Sequence, residues 1–143
     1  MSTLKDYYLM SEISKNGLPS LSTVLPNDSN RISGDIFAGE NLGACDACYI
    51  SSTDGKVYRS NGAAVAAAAK VRGFSATTAK TGQATSLYHG VNFAYGTALT
   101  PGTSLYVSAA VLGGLTDTPT TGGTGEVAFV IDSTRIRVRQ SGY

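Results

Sequence analysis

Two cysteines three residues apart, Cys45 and Cys48, are the most chemically suggestive pair in the chain. Their C-x-x-C spacing is that of zinc knuckles and thiol redox motifs. A structural zinc ion needs four ligands, yet no second C-x-x-C exists and His89 is the single histidine. A redox role of the thioredoxin kind needs a βαβ setting, which the surrounding residues do not supply. Positions three apart on a strand also point to opposite faces, which works against shared chelation. The pair therefore reads as two reduced, largely buried thiols acting as small hydrophobes, and no metal or other cofactor is expected.

The other candidates are weaker still. His89 lies in Leu87-Tyr88-His89-Gly90 with no nucleophile elbow and no recognisable Ser or Cys partner, so it reads as a surface or interface histidine. Gly123-Thr124-Gly125-Glu126-Val127-Ala128 matches G-x-G-x-x-A in letters only. A dinucleotide fingerprint follows a strand and opens a helix, whereas this segment precedes the strand-like Ala128–Ile131. The carboxylates Asp35, Glu40, Asp46, Asp54, Asp117, Glu126 and Asp132 show neither calcium-loop nor paired acid–base spacing. The expectation is a protein that is not an enzyme.

Arg135, Arg137 and Arg139 alternate with Ile136 and Val138. On a strand this places three guanidinium groups on one face and the apolar pair on the core face. Such a stripe is a solvated strand whose charges discourage aggregation, a grip for acidic groups on a partner or, less favoured by so small a net charge, a non-specific phosphate contact.

The elements that position these residues are short. Gly34 onward shows apolar stretches separated by turn residues: Leu42–Ile50, a turn at Thr53-Asp54-Gly55, then Lys56–Arg59 as the return strand of a hairpin. Further strands are expected over 71–76, 85–88, 91–95, 104–107, 126–131 and 135–139, with turns at Lys80-Thr81-Gly82, Thr100-Pro101-Gly102, Gly113-Gly114 and 120–125. That rhythm predicts an all-β domain, a compact sandwich or small barrel, over residues 34–143. Ala63–Lys70 has helical composition but is too short to hold a helix unaided, and is left open between a helical turn and a packed loop. Residues 1–33 carry two of the four prolines and scattered apolar residues. They read as an extended N-terminal arm, the alternatives being a flexible tail or a first strand of the main domain. Tyr7, Tyr8, Leu18 and Leu21 are its candidate partner contacts. Deleting residues 1–30 is then expected to spare the fold.

Composition narrows the partners. Of 143 residues, 15% are charged and the net charge is +1, which is no signature of a nucleic-acid binder. No apolar run approaches the ~20 residues of a membrane span. No export signal opens the chain, so synthesis in the cytoplasm of the producing cell is expected.

The run Ala38-Gly39-Glu40-Asn41-Leu42, then Cys45-Asp46-Ala47-Cys48-Tyr49-Ile50 and Asp54-Gly55-Lys56-Val57-Tyr58-Arg59, resembles small head proteins of tailed bacteriophages. Val71-Arg72-Gly73-Phe74, Leu99–Ser108, Gly113-Gly114-Leu115 and Ala128-Phe129-Val130-Ile131 continue the likeness over about residues 34–139. The resemblance implies a capsid decoration or cement protein on the outer surface of the virion. It further implies the major capsid protein as partner and self-association, with a homotrimer favoured over a dimer. Arg135, Arg137 and Arg139 would join the arm residues as contacts. The competing expectation is a tail or fibre module that meets the host surface, with exposed tyrosines stacking on sugars.

Overall fold

A computed structural model describes residues 12–15, 17–22, 30–33 and 35–139. Twelve short strands follow one another: β1 Glu12–Ile13, β2 Ser20–Leu21, β3 Arg31–Ile32, β4 Ala47–Ile50, β5 Val57–Arg59, β6 Gly73–Ser75, β7 Leu87–Tyr88, β8 Asn92–Ala94, β9 Ser104–Val107, β10 Leu115–Thr116, β11 Ala128–Val130 and β12 Arg135–Val138. They form a seven-stranded sheet in the order β1-β10-β9-β11-β12-β8-β2 and a five-stranded sheet in the order β3-β7-β6-β4-β5. Every pairing between these strands is antiparallel. The chain is all-β, as its turn-punctuated pattern predicts.

Alternation explains which side of the seven-stranded sheet is buried. Leu105 and Val107 of β9, Ala128 and Val130 of β11, Ile136 and Val138 of β12, and Phe93 of β8 all point inward. Opposite them, Ala47 and Phe74 of the five-stranded sheet complete the main core, where the Phe74 and Phe93 rings lie 6.4 Å apart in a tilted pair. The five-stranded sheet is covered on its other face too. There Cys48, Val57 and Leu87 pack with Ala38, Leu42 and Ala79, residues supplied by the loops around it. Gly73 serves this second core by its lack of a side chain: a Cβ there would come within 2.8 Å of the Leu87 Cβ.

The β4–β5 hairpin turns where Asp54-Gly55 predicts it, with Gly55 at φ 71°. Asp54 fastens the turn by accepting from the Lys56 amide and the Tyr58 hydroxyl. Between β5 and β6 the alanine run makes one 3-10 turn, Ala67–Ala69, within an otherwise irregular loop. No helix of the described residues is long and apolar enough to cross a membrane.

The described parts of residues 12–32 supply β1, β2 and β3, with a bend at Gly17 and Leu18, and lie on the sheets. β1 and β2 are the two edges of the seven-stranded sheet and β3 is one edge of the other. Ile13 and Leu21 pack against the main core, and Pro19 is buried. Lys15 anchors this segment to the body by donating to the Ala44 carbonyl and to the Asp46 carboxylate. Of the expected arm contacts, Leu21 is thus half-buried in the chain's own core, Leu18 is 72% exposed, and Tyr7 and Tyr8 lie outside the described residues.

Candidate binding surface

Three loops meet at one end of the molecule. They are the β5–β6 loop, the β9–β10 loop and the β10–β11 loop, which crosses the end of β9. Backbone bonds join them: Gly62 N–H donates to the Ser108 carbonyl, Gly113 N–H to Ser60, and Gly122 N–H to Gly62. Packing is close enough that a Cβ on Gly122 would fall 2.1 Å from the Ala64 carbonyl oxygen. Residues 60–69, 108–116 and 118–125 contain no charged side chain.

Side chains hold the backbone of these loops in place. The buried Ser108 hydroxyl accepts from the amides of Ala110 and Val111. The Thr120 hydroxyl donates to the Val107 carbonyl and accepts from Gly123 N–H. Asn61 Oδ1 accepts from Ala63 N–H. These local bonds occupy backbone groups that no sheet ladder serves.

The surface so held is apolar. Val65 is 83% exposed, Val111 51% and Leu112 43%, and residues 63–66 around Val65 are all exposed. Beside the loops runs a groove of about 350 Å³ lined by Ala69, Lys70, Val107, Gly123, Glu126 and Arg139. Lys70 and the Arg139–Glu126 ion pair, 3.3 Å long, put charge along it. An apolar centre with a charged margin is the usual anatomy of a protein–protein contact.

The arginine stripe is formed as its alternation predicts: Ile136 and Val138 are buried while Arg137 and Arg139 are exposed and Arg135 is half-buried. Each guanidinium, however, already has an acceptor on its own chain. Arg135 bonds Asp132 through Nε and Nη2, Arg137 donates to Asn92 Oδ1 at 3.2 Å, and Arg139 pairs with Glu126. Asp132 is held down to about 2, by the Arg135 side-chain hydrogen bond first and by the Thr134 amide next. Arg135 is thus the most committed of the three. Arg137 and Arg139 keep most of their five donors for other groups. Phe129, 39% exposed, pairs across the strands with Arg137 and adds an apolar patch to this face.

The cysteines are buried on opposite sides of the five-stranded sheet, Cys45 in the main core and Cys48 in the second. Cys45 takes φ 57° just before β4. Burial raises both thiols well above their ordinary range, so neither forms a thiolate readily. His89 is not on the surface as expected: it is 9% exposed. The segment at Asn30 covers it, since Asn30 Nδ2 donates to the His89 and Gly90 carbonyls and the His89 amide donates to Asn30. Its Nδ1 is buried without a partner, and burial lowers its pKa. No group of three or more metal-ligating side chains assembles among the described residues.

Sequence reasoning singled out the stripe but not the loop surface. Its signal was present as three uncharged stretches, read separately as an alanine run and two glycine turns. No family model, curated protein or solved structure matches the chain.

Proposed function

We propose that this chain is a non-enzymatic structural protein that decorates the outer surface of a bacteriophage head and bridges capsid subunits through its uncharged loop end. The observation that carries the reading is the rigidly held apolar surface at Val65, Val111 and Leu112. Fully burying an exposed side chain of this kind contributes about 1.5–3 kcal/mol, and loops already fixed by Ser108 and Thr120 lose little freedom on docking. Repetition over a symmetric shell makes such modest contacts effective. The resemblance of residues 34–139 to phage head proteins supplies the identity of the partner, the major capsid protein, and a trimeric arrangement on it. Arg137 and Arg139 would meet acidic groups at the margin.

Purified protein mixed with undecorated mature heads tests the proposal. Saturable, stoichiometric binding is expected, weakened at least tenfold by a Val65→Asp, Leu112→Asp double variant that leaves the fold intact by circular dichroism. Protein found on tails in a dozen copies, with none on heads, would replace this reading with that of a tail or fibre module.

A further inference from the structure

The groove beside the uncharged loops stays open because small residues wall it, among them Ala69, Gly122 and Gly125. Gly122 has a structural reason to be glycine, since the Ala64 carbonyl lies against its backbone. Gly125 has none of that kind. Its φ is not left-handed, it is exposed, and a Cβ there would meet nothing within 4 Å. Glycine at a position that another residue could occupy without strain gives up stability through the entropy of the unfolded chain. What it leaves in the folded state is room in the groove.

Charge says what that room suits. Lys70, Arg139 and Glu126 are the charged residues of the lining, two positive and one negative, so the groove has a surplus of one positive charge. Arg139 holds Glu126 through a single Nη1 contact and its side chain is 51% exposed. Lys70 is exposed and forms no ion pair among the described residues. An ammonium and most of a guanidinium fork therefore remain as donors for an incoming acceptor. A carboxylate meets such donors with charge-assisted bonds. The groove also adjoins the apolar loop end: Ala69 closes the alanine run that carries Val65, and Gly122 belongs to the β10–β11 loop.

We propose that this groove receives an aspartate or glutamate side chain of the docking partner, carried on a segment that also lies on the Val65 loop. The inference rests on the decoration reading for the identity of that partner, and it adds a charge-selective contact to an apolar one. An exposed ion pair contributes little by itself. Apolar surface docked beside it excludes water and strengthens the attraction, and the charge then fixes which partner and which register are accepted.

The test uses the full chain and a blocked peptide, acetyl-Ala-Glu-Ala-amide, titrated at constant ionic strength while NMR follows the amides of residues 69–71, 122–127 and 139. Saturable shifts confined to that set are expected, and none with the peptide that carries Gln or Lys in place of Glu. A Lys70→Gln, Arg139→Gln double variant should bind the peptide at least tenfold more weakly. Gly125→Gln should do the same by filling the groove, with Tm at or above that of the parent because no part of the fold meets the new side chain. Absence of saturable shifts, equal shifts with the Gln peptide, or undiminished binding by both variants would overturn the proposal. So would equal binding of inorganic phosphate, the mark of a general anion site. Binding that appears only after residues 140–143 are all replaced by glycine would make the chain's own end the occupant and overturn it too. Peptide binding without head binding would keep the groove's preference for carboxylate and remove the decoration reading. Heads bound equally well by the parent and by Gly125→Gln would leave that reading standing and remove this one.

Discussion

Replacing Asp46 with Asn probes how firmly the N-terminal strands belong to the body. Asp46 is 5% exposed. Its Oδ2 accepts the Gly43 amide at 2.6 Å, and its Oδ1 accepts Lys15 Nζ. Asparagine keeps the shape and removes the charge. Turning the Gly43 bond from charge-assisted to neutral loses about 1 kcal/mol. Breaking a fully buried ion pair costs about 3–5 kcal/mol, and an exposed one about 0–1 kcal/mol. The Lys15 side chain is 26% exposed, so roughly 1–2 kcal/mol is the fitting share between those limits. The sum is about 2–3 kcal/mol, which lowers Tm by roughly 6–10 °C in a domain of this size. Urea denaturation should show the midpoint falling with m unchanged. A cycle with Lys15→Met should give a coupling of about 1–2 kcal/mol. An Asp46→Asn loss below about 0.5 kcal/mol, or strictly additive effects, would show that the Lys15 clasp holds nothing.

Three further outcomes follow from burial. Cys45 and Cys48 should react with an aromatic disulfide reagent only as fast as the protein opens, and rapid labelling of either thiol in the native state would contradict their placement. Burial lowers the pKa of His89, so the unfolded chain binds its proton first as pH falls. Stability attributable to His89 is therefore complete above its ordinary value of about 6.5 and declines as pH drops below it toward the folded value. His89→Gln should flatten that decline in a pH series of urea midpoints, and an unchanged slope would refute the assignment. Removing residues 1–22 strips β1 and β2 and uncovers the core beside Ile13 and Leu21, with an expected loss of roughly 3–6 kcal/mol. Calorimetry showing an unaltered Tm would mean those strands are ornament, as the expectation of a detachable arm had it.

Legibility from the sequence followed the length of each alternating run. Ser104-Leu105-Tyr106-Val107 and Arg135-Ile136-Arg137-Val138 each show two full periods, and both are strands, the second with the faces its alternation predicts. Leu115–Thr116 follows Gly113-Gly114 and has no room for a period, so β10 was hidden behind a turn signal. The same holds for β1, β2 and β3, two residues each. Such strands are decided by the edge they meet. His89 went astray for a related reason: its cover comes from Asn30, 59 residues away. The loop surface needed Gly122 beside Ala64 and Gly62 beside Ser108, contacts that no local pattern encodes.

The distribution of protection over the fold is consistent with the proposed contact role of the loop end. Sheet edges are the usual route to unwanted association, and short strands blunt them. Here β1, β2 and β3 each end a sheet with two residues. The remaining edge, β5, is covered by Phe37 and Gly39, whose backbones bond Val57 on both sides. A chain that guards all four edges yet leaves Val65 83% exposed has not merely run out of polar residues. Serine, threonine and asparagine are present in those same loops: Ser108 and Thr120 are turned inward to fix the backbone, and the half-buried Asn61 accepts from Ala63 N–H. Ser108 and Thr120 thus set the shape while Val65, Val111 and Leu112 face out, beside the exposed Thr118, Thr121 and Thr124. That arrangement exposes Val65, Val111 and Leu112 on a fixed backbone, as the proposed docking role requires.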